Sequence, residues 1–227
     1  ENDNFHVYVS SGEILEYHYQ KVYGGAGSDV FNVTGHGILK SDLFGGDGDD
    51  DFTINIDHWA YKVSISGGAG YDEITYGNNV DQLNLNGLSG IEVINGGTGT
   101  NVINNAATYE ILDLSNTQLI NIDHITGRNI TGSAQDDVII SWDKVHGGSG
   151  DDEITLDNRI TQNTVHGDAG NDTITGSIYV DYIYGGSGSD IIYGGSGKDK
   201  LYGGSGVDVL DGGNDDDKLY SEEGNDT

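Results

Sequence analysis

Aspartate residues recur at a fixed spacing in this chain, and each follows a glycine-rich segment. The clearest run starts at Gly185 and reads GGSGSDIIY, GGSGKDKLY, GGSGVDVLD and GGNDDDKLY. These nonapeptides have the form G-G-x-G-x-D-x-U-x, in which U is apolar; the fourth has Asp215 in place of the third glycine. Carboxylate and carbonyl oxygens are the ligands that Ca²⁺ prefers, at six to eight per ion. The repeated pattern therefore predicts several calcium sites.

The same nonapeptide frame continues toward the N-terminus, where the spacing is less regular. Copies with all three glycines open at Gly24, Gly45, Gly67 and Gly147. Copies that lack one or more of these features open at Gly96, Gly132, Gly167 and Gly176. The Gly96 copy has Asn101 where aspartate is expected, and the Gly132 copy keeps Asp137 but loses the inner glycines. Calcium occupancy of these last two turns stays open at this point.

Each nonapeptide is expected to form a turn followed by a short strand. Glycines in the first four positions allow the turn to adopt positive φ, which other residues disfavour. Alternation in the tail sends the apolar U side chain inward and its neighbours outward. Two nonapeptides then make one coil of 18 residues, and coils stack about 4.8 Å apart. The expected fold is all-β, a right-handed parallel β-roll or β-helix solenoid, and no segment predicts a helix.

Stacking places the sixth-position aspartate of one turn over that of the next coil. Two such carboxylates and the carbonyls of the glycine turns form an all-oxygen cage that suits Ca²⁺ better than the smaller Mg²⁺. The predicted aspartate ligands are Asp29, Asp50, Asp72, Asp152, Asp172, Asp181, Asp190, Asp199, Asp208, Asp217 and Asp226. The predicted turns that complete the sites open at Gly24, Gly45, Gly67, Gly147, Gly167, Gly185, Gly194, Gly203 and Gly212.

The charge balance points to the same class of partner. The chain of 227 residues has 9 basic and 38 acidic residues, for a net charge of −29. Such a chain does not attract nucleic acid or anionic lipid, and no apolar run is long enough to span a membrane. The absence of cysteine excludes disulfides and thiolate metal sites. Two carboxylates about 5 Å apart repel by roughly 3 kcal/mol at an effective dielectric near 20, so folding is expected to require cations.

The regularity of the repeats divides the chain into two segments. Residues 1–166 are expected to form an irregular parallel β-helix with scattered calcium turns, and residues 167–227 a regular roll that continues the same solenoid. The stretch from Asn78 to Arg128 lacks good calcium turns, so its core must depend on apolar burial. Four asparagines there can form a side-chain ladder or occupy turns, and turns are the favoured interpretation: Asn84, Asn86, Asn104 and Asn121.

Two sets of aromatic rings recur at coil spacing. Tyr184, Tyr202 and Tyr220 are 18 residues apart and are expected to stack on one outer face. An aromatic ladder that stiffens the sheet is the favoured interpretation; the alternative is a docking face for a neighbouring domain, a second copy or a glycan. His146 and His166 each precede a motif glycine and lie 20 residues apart, so they are expected to stack as well. A structural role is favoured for them over a transition-metal site.

The repeats resemble those of the repeats-in-toxin (RTX), or haemolysin-type calcium-binding, family. The resemblance is continuous from Gly167 to Thr227 and patchy from Gly24 onward. It implies several bound Ca²⁺ ions, with the sixth-position aspartates as ligands. It also implies type I secretion from Gram-negative bacteria, a chain unfolded in the calcium-poor cytosol, and folding in the extracellular space or at the cell surface.

No catalytic motif accompanies the repeats. The sequence has neither an HExxH zinc-protease motif nor a G-x-S-x-G nucleophile elbow. The chain also lacks an initiator methionine and ends inside a repeat, so we expect a fragment of a longer protein. Its favoured role is non-catalytic, as a spacer or assembly segment of an adhesin, surface-layer protein or toxin. The alternatives are a stabilising module of a secreted enzyme and, less favoured, a polysaccharide-acting groove.

Overall fold

The computed structural model describes residues 2–9, 19–35, 40–56, 62–76, 82–96, 101–105 and 111–227. These residues form strands and turns, with no helix among them. It follows that none of them forms a helix able to cross a membrane. Neighbouring strands pair in parallel, each with a strand one coil away in the sequence. The expected all-β parallel solenoid is therefore confirmed. The chain divides into two compact units.

The first unit comprises Glu1–Leu112 and Asn116–Asp123. Its strands belong to two sets, and successive coils contribute one strand to each set. In one set the order is β1 (Asn4–Val9), β3 (Val30–Gly35), β5 (Asp51–Ile56), β7 (Glu73–Tyr76), β9 (Val93–Asn95) and β12 (Gln118–Ile120). In the other it is β2 (Tyr19–Ala26), β4 (Lys40–Asp47), β6 (Lys62–Ala69), β8 (Gln82–Ser89) and β10 (Val102–Asn105).

The second unit comprises Asp113–Ser115 and His124–Thr227. One set of strands is β13 (His124–Gly127), β15 (Val138–Ser141), β17 (Glu153–Leu156), β19 (Thr173–Thr175), β21 (Ile191–Tyr193) and β23 (Val209–Asp211). The other is β14 (Ile130–Thr131), β16 (Lys144–Ser149), β18 (Gln162–Ala169), β20 (Val180–Ser187), β22 (Lys200–Ser205) and β24 (Lys218–Glu223). The one strand of the chain order not yet named is the short β11 (Leu112–Asp113). The boundary predicted at residues 166 and 167 falls inside this unit and stays a prediction.

Inward-pointing aliphatic side chains form the core of the second unit. Ile154, Ile174 and Ile192 occupy the apolar U position of successive coils and lie in register across β17, β19 and β21. All three are fully buried. The strands of the other set contribute Val165 and Ile183, which are paired in register and equally buried. Each coil thus adds one apolar layer to the core. The side chain at the U position of the repeat points inward, as the alternation of the sequence predicts.

The core of the first unit contains larger rings and one polar ladder. Phe31 stacks on Phe52 of the next coil with 4.6 Å between ring centroids, and both side chains are buried. Asn104 Nδ2 donates a hydrogen bond of 2.7 Å to Asn84 Oδ1 across β10 and β8. Asn121 adopts the left-handed conformation (φ 54°) outside any strand. The turn interpretation is therefore wrong for Asn84 and Asn104, and correct for Asn121.

An aromatic ladder runs along the outer face of the second unit. His146, His166, Tyr184, Tyr202 and Tyr220 stack ring on ring, with centroids 4.6–4.7 Å apart and planes within 7° of parallel. This spacing equals the distance between hydrogen-bonded strands, so parallel register alone brings the rings together. The expected stacking of the tyrosines and histidines is confirmed.

Candidate calcium sites

Sixth-position aspartates of successive coils are joined by hydrogen bonds. The backbone N–H of Asp172 donates to Oδ1 of Asp190 at 2.8 Å, and that of Asp190 donates to Oδ1 of Asp208 at 2.9 Å. The same bond, from the earlier to the later residue, joins Asp29 to Asp50, Asp50 to Asp72, Asp152 to Asp172, Asp208 to Asp226, Asp181 to Asp199 and Asp199 to Asp217. The structure thus brings the predicted aspartates into register in every stack that the spacing implies.

The second oxygen of these carboxylates is buried without a donor. In eight of the aspartates, Oδ2 is inaccessible to solvent and has no hydrogen-bond partner among the described residues: Asp29, Asp50, Asp72, Asp152, Asp172, Asp190, Asp199 and Asp208. An ionised oxygen in this state costs more free energy than an ordinary unpaired polar atom. A bound cation would satisfy it, so these orphaned oxygens fit the calcium that the repeats predict.

A carbonyl oxygen lies beside each orphaned oxygen, next to the first glycine of the repeat. A Cβ atom added to Gly185 would overlap Oδ2 of Asp190 and the carbonyl oxygen of Gly203 in the next coil. Equivalent pairs of oxygens surround seven other first-position glycines: Gly24, Gly45, Gly67, Gly147, Gly167, Gly194 and Gly203. At Gly212 the three atoms nearest to such a Cβ all belong to the side chain of Asp217. The first glycine therefore makes room for converging oxygens.

This role of the first glycine differs from the conformational one expected from the sequence. Positive φ occurs at the second and fourth positions of the repeat, as at Gly186 (121°) and Gly188 (128°), and not at the first position. Asp168, Asp215 and Glu222 keep the left-handed conformation where they replace a glycine at these positions. The expectation of positive φ was thus wrong for first-position glycines, which are required because of space.

Replacing Gly185 with alanine is expected to damage one site selectively. The new methyl group would displace Asp190 Oδ2 or the Gly203 carbonyl, and overpacking of this kind costs about 1–3 kcal/mol. We expect the calcium-saturated Gly185→Ala protein to melt at a lower temperature and to bind fewer calcium ions than the parent. Calorimetric melting and a calcium-binding isotherm measure both effects. An unchanged ion count would show that these oxygens do not hold calcium.

Burial shifts the proton affinity of the stacked carboxylates. Desolvation raises the pKa of Asp152 to about 8 and the pKa values of Asp72, Asp190 and Asp199 to about 6, against an ordinary value of 3.8. The hydrogen bond from the preceding aspartate's N–H opposes this shift, and neighbouring carboxylates add to it. Near neutral pH, the cation-free roll therefore holds protons that the unfolded chain would release.

The stability of the cation-free fold and the affinity for calcium are expected to change with pH in opposite directions. Because these pKa values are raised, the stability that protonation gives the cation-free fold is full below about pH 4 and is lost as the pH rises through about 6 and about 8. Calcium must displace the same protons, so its affinity should rise over that interval. Circular dichroism in chelator should lose strand signal between about pH 5.5 and 8.5, while calcium titrations tighten. A strand signal that rises with pH in chelator would contradict this assignment.

Two degenerate repeats satisfy their aspartate by another route. Ser177 follows the first glycine of its repeat, and its N–H and hydroxyl group donate to Asp181 Oδ2 at 2.7 and 2.9 Å. Asn163 Nδ2 donates to Asp181 Oδ1 at 2.6 Å. Ser133 makes the same two bonds to Asp137 Oδ2, at 2.6 and 3.0 Å. The structure places Asp181 in register with Asp199. Because hydrogen-bond donors already satisfy Asp181 and Asp137, these two turns need a cation less than the turns with orphaned oxygens do.

Two acidic residues outside the repeat pattern complete the stacks of the first unit. Asp72 N–H donates to Glu92 Oε2 at 2.8 Å, and Asn101 N–H donates to Asp123 Oδ2 at 2.6 Å. Both acceptors lie two residues after a left-handed residue, Gly90 (φ 58°) or Asn121 (φ 54°), in a shortened turn. The signal in the sequence is the short pattern G-I-E or N-I-D after a strand, which the nonapeptide frame does not contain.

Comparison with known families supports this chemistry. The family model for the RTX calcium-binding nonapeptide repeat, which spans four copies, matches residues 129–154, 143–158, 166–201, 176–210 and 193–227. Neither the curated proteins nor the solved structures that were searched gave a match. Proteins with this repeat bind several calcium ions, and the orphaned oxygens of the second unit lie within the matched segments. Residues 129–158 and 166–227 of the chain therefore carry RTX calcium-binding repeats.

Proposed function

We propose that this chain is a calcium-triggered structural segment of a larger secreted or cell-surface protein. Its cations would be held by the eight orphaned aspartate oxygens and the glycine-turn carbonyls beside them. Asp181, Asp217 and Asp226 would contribute through the same stacks. The single observation that supports this proposal most strongly is the alignment of buried, unpaired carboxylate oxygens in successive coils. The fold tolerates these carboxylates only when a cation, or a proton at lower pH, neutralises them.

The charge of the chain supports a switch between two compartments. A net charge of −29 favours an expanded chain where calcium is scarce. Extracellular calcium modules bind the ion with dissociation constants of about 10⁻⁴–10⁻³ M. At such affinities the chain would stay unfolded in a calcium-poor cytosol and fold after export. Folding outside the cell would then produce the rigid coils.

A spacer or assembly role is the form of this function that we favour. Coils of the second unit stack in register, and the outer face carries a continuous ladder of rings. Such an arrangement supports a rigid connector in an adhesin, surface-layer protein or toxin. Its partners would be calcium ions and the adjacent domains of the parent chain.

Protease resistance at two calcium levels tests the proposed switch. The chain should be digested rapidly at about 10⁻⁷ M calcium and should resist the same protease at about 10⁻³ M, above the affinity range of extracellular modules. Magnesium at the higher concentration serves as the control and should protect poorly, because it requires a tighter octahedral site. Equal digestion at both calcium concentrations would refute a calcium-triggered module.

A further inference from the structure

Two histidines and one aspartate lie close together on the outer face of the second unit. One ligand atom each from His146, His166 and Asp168 lies within 4.8 Å of the others. Among the described residues, these three make up the one group of three or more His, Cys, Asp or Glu side chains that can hold a metal. Their side chains point away from the core that contains the calcium carboxylates: His146 is exposed, and the other two are half-buried.

The strand register brings the three side chains together. His146 of β16 pairs with His166 of β18, and Asp168 pairs with Gly148. Asp168 occupies the second position of its repeat with a φ of 75°, whereas glycine occupies the equivalent Gly148 and Gly186. Residues other than glycine are disfavoured in this conformation. This conformation allows the Asp168 carboxylate to reach the preceding coil, where Oδ2 lies 3.0 Å from His146 Nδ1.

The chemistry of these ligands differs from that of the calcium stacks. Calcium takes oxygen ligands, whereas imidazole nitrogen suits zinc, copper, cobalt and nickel ions. Two imidazoles and one carboxylate are also a common ligand set of zinc sites that keep a position open for water or another ligand. We propose that His146, His166 and Asp168 form a surface site for a divalent transition metal of the zinc class, separate from the calcium sites.

The geometry also defines what must move when the metal binds. The two imidazole rings are stacked, with centroids 4.6 Å apart and planes 2° from parallel, so their lone pairs lie in parallel planes and do not converge on one ion. Coordination of one ion by both rings requires a turn about χ2, a torsion with a broad and shallow energy profile in histidine. The hydrogen bond from His146 to Asp168 already holds one nitrogen and one oxygen near each other. Metal binding would replace that bond and the ring stack.

Cobalt(II) added to the calcium-saturated protein tests this site directly. Excess calcium fills the oxygen cages, so the visible absorption of cobalt in a nitrogen-containing, four- or five-coordinate site reports the new site alone. We expect one equivalent of cobalt to produce this absorption and zinc to abolish it by competition. His146→Gln, His166→Gln and Asp168→Asn should each weaken cobalt binding by more than about tenfold, the smallest effect typical of losing a supporting group.

A matched control substitution distinguishes cobalt binding at this site from cobalt binding to any histidine. His124→Gln removes a histidine from β13, in the other set of strands, and should leave cobalt binding unchanged. The calcium-induced circular dichroism of every variant shows whether it folds, and it also reports the proposed calcium function independently. Cobalt absorption that survives all three site substitutions, or that falls equally in His124→Gln, would overturn the proposal. So would complete displacement of cobalt by calcium.

Discussion

Removing calcium is expected to abolish most of the strand structure of the chain. Eight buried carboxylate oxygens have no donor among the described residues, and stacked carboxylates repel one another by a few kcal/mol per pair. Because a whole domain is stable by only about 5–15 kcal/mol, the apolar core cannot offset this repulsion without cations. At pH values above about 8.5, far-UV circular dichroism in chelator should therefore show a disordered chain, and its radius of gyration should approach about 50 Å.

Adding calcium back should restore the strand signal steeply, over a narrow range of concentration. Each coil packs only against its neighbours, so an ion that orders one layer makes the next layer easier to order. Magnesium at equal ionic strength is the control for screening, because it weakens long-range repulsion without filling the same cages. Full restoration by magnesium would mean that screening, rather than coordination, folds the chain.

Asp190→Asn should have a large effect on calcium binding. Asparagine keeps an acceptor for the N–H of Asp172 but removes the charge from the orphaned oxygen beside Gly203. Calcium affinity depends on the number of charged ligands. The midpoint of the calcium titration should rise by at least about tenfold, and fewer ions should bind at saturation.

Asp216→Asn provides the matched control for this substitution. It also removes one negative charge, but the Asp216 side chain is 93% exposed and lies near Lys198 rather than in a stack. An effect of net charge alone would shift both titrations equally. Equal midpoints for the two variants would contradict the assignment of Asp190 as a ligand.

The periodic features of the molecule were predictable from the sequence. Ile192 and Asp190 recur at the same positions of successive repeats, and parallel stacking gives every repeat the same environment. Once the core and ligand positions of one repeat are assigned, the equivalent positions of the other regular repeats follow. The same argument predicted the stacking of Tyr184 on Tyr202.

The features that the sequence did not reveal depend on local departures from the repeat. Glu92 accepts the hydrogen bond of the Asp72 N–H from a shortened turn that the nonapeptide frame does not contain. Ser177 donates a hydrogen bond to Asp181 through its hydroxyl group, and serine is otherwise an ordinary turn residue. The Asn84–Asn104 ladder depends on which strands pair, which the irregular spacing before Gly132 does not specify. These contacts could be identified only once the register between the coils was known.

Anomalous diffraction from crystals grown in calcium tests the central claim most directly, since it locates each ion. Peaks are expected in the stack that contains Asp172, Asp190 and Asp208, within about 2.3–2.6 Å of the orphaned Oδ2 atoms and of the carbonyl oxygens beside them. The Ser177 and Ser133 turns should give weaker peaks or none. Peaks confined to exposed carboxylates such as that of Asp216, with none along the aspartate stacks, would contradict the account.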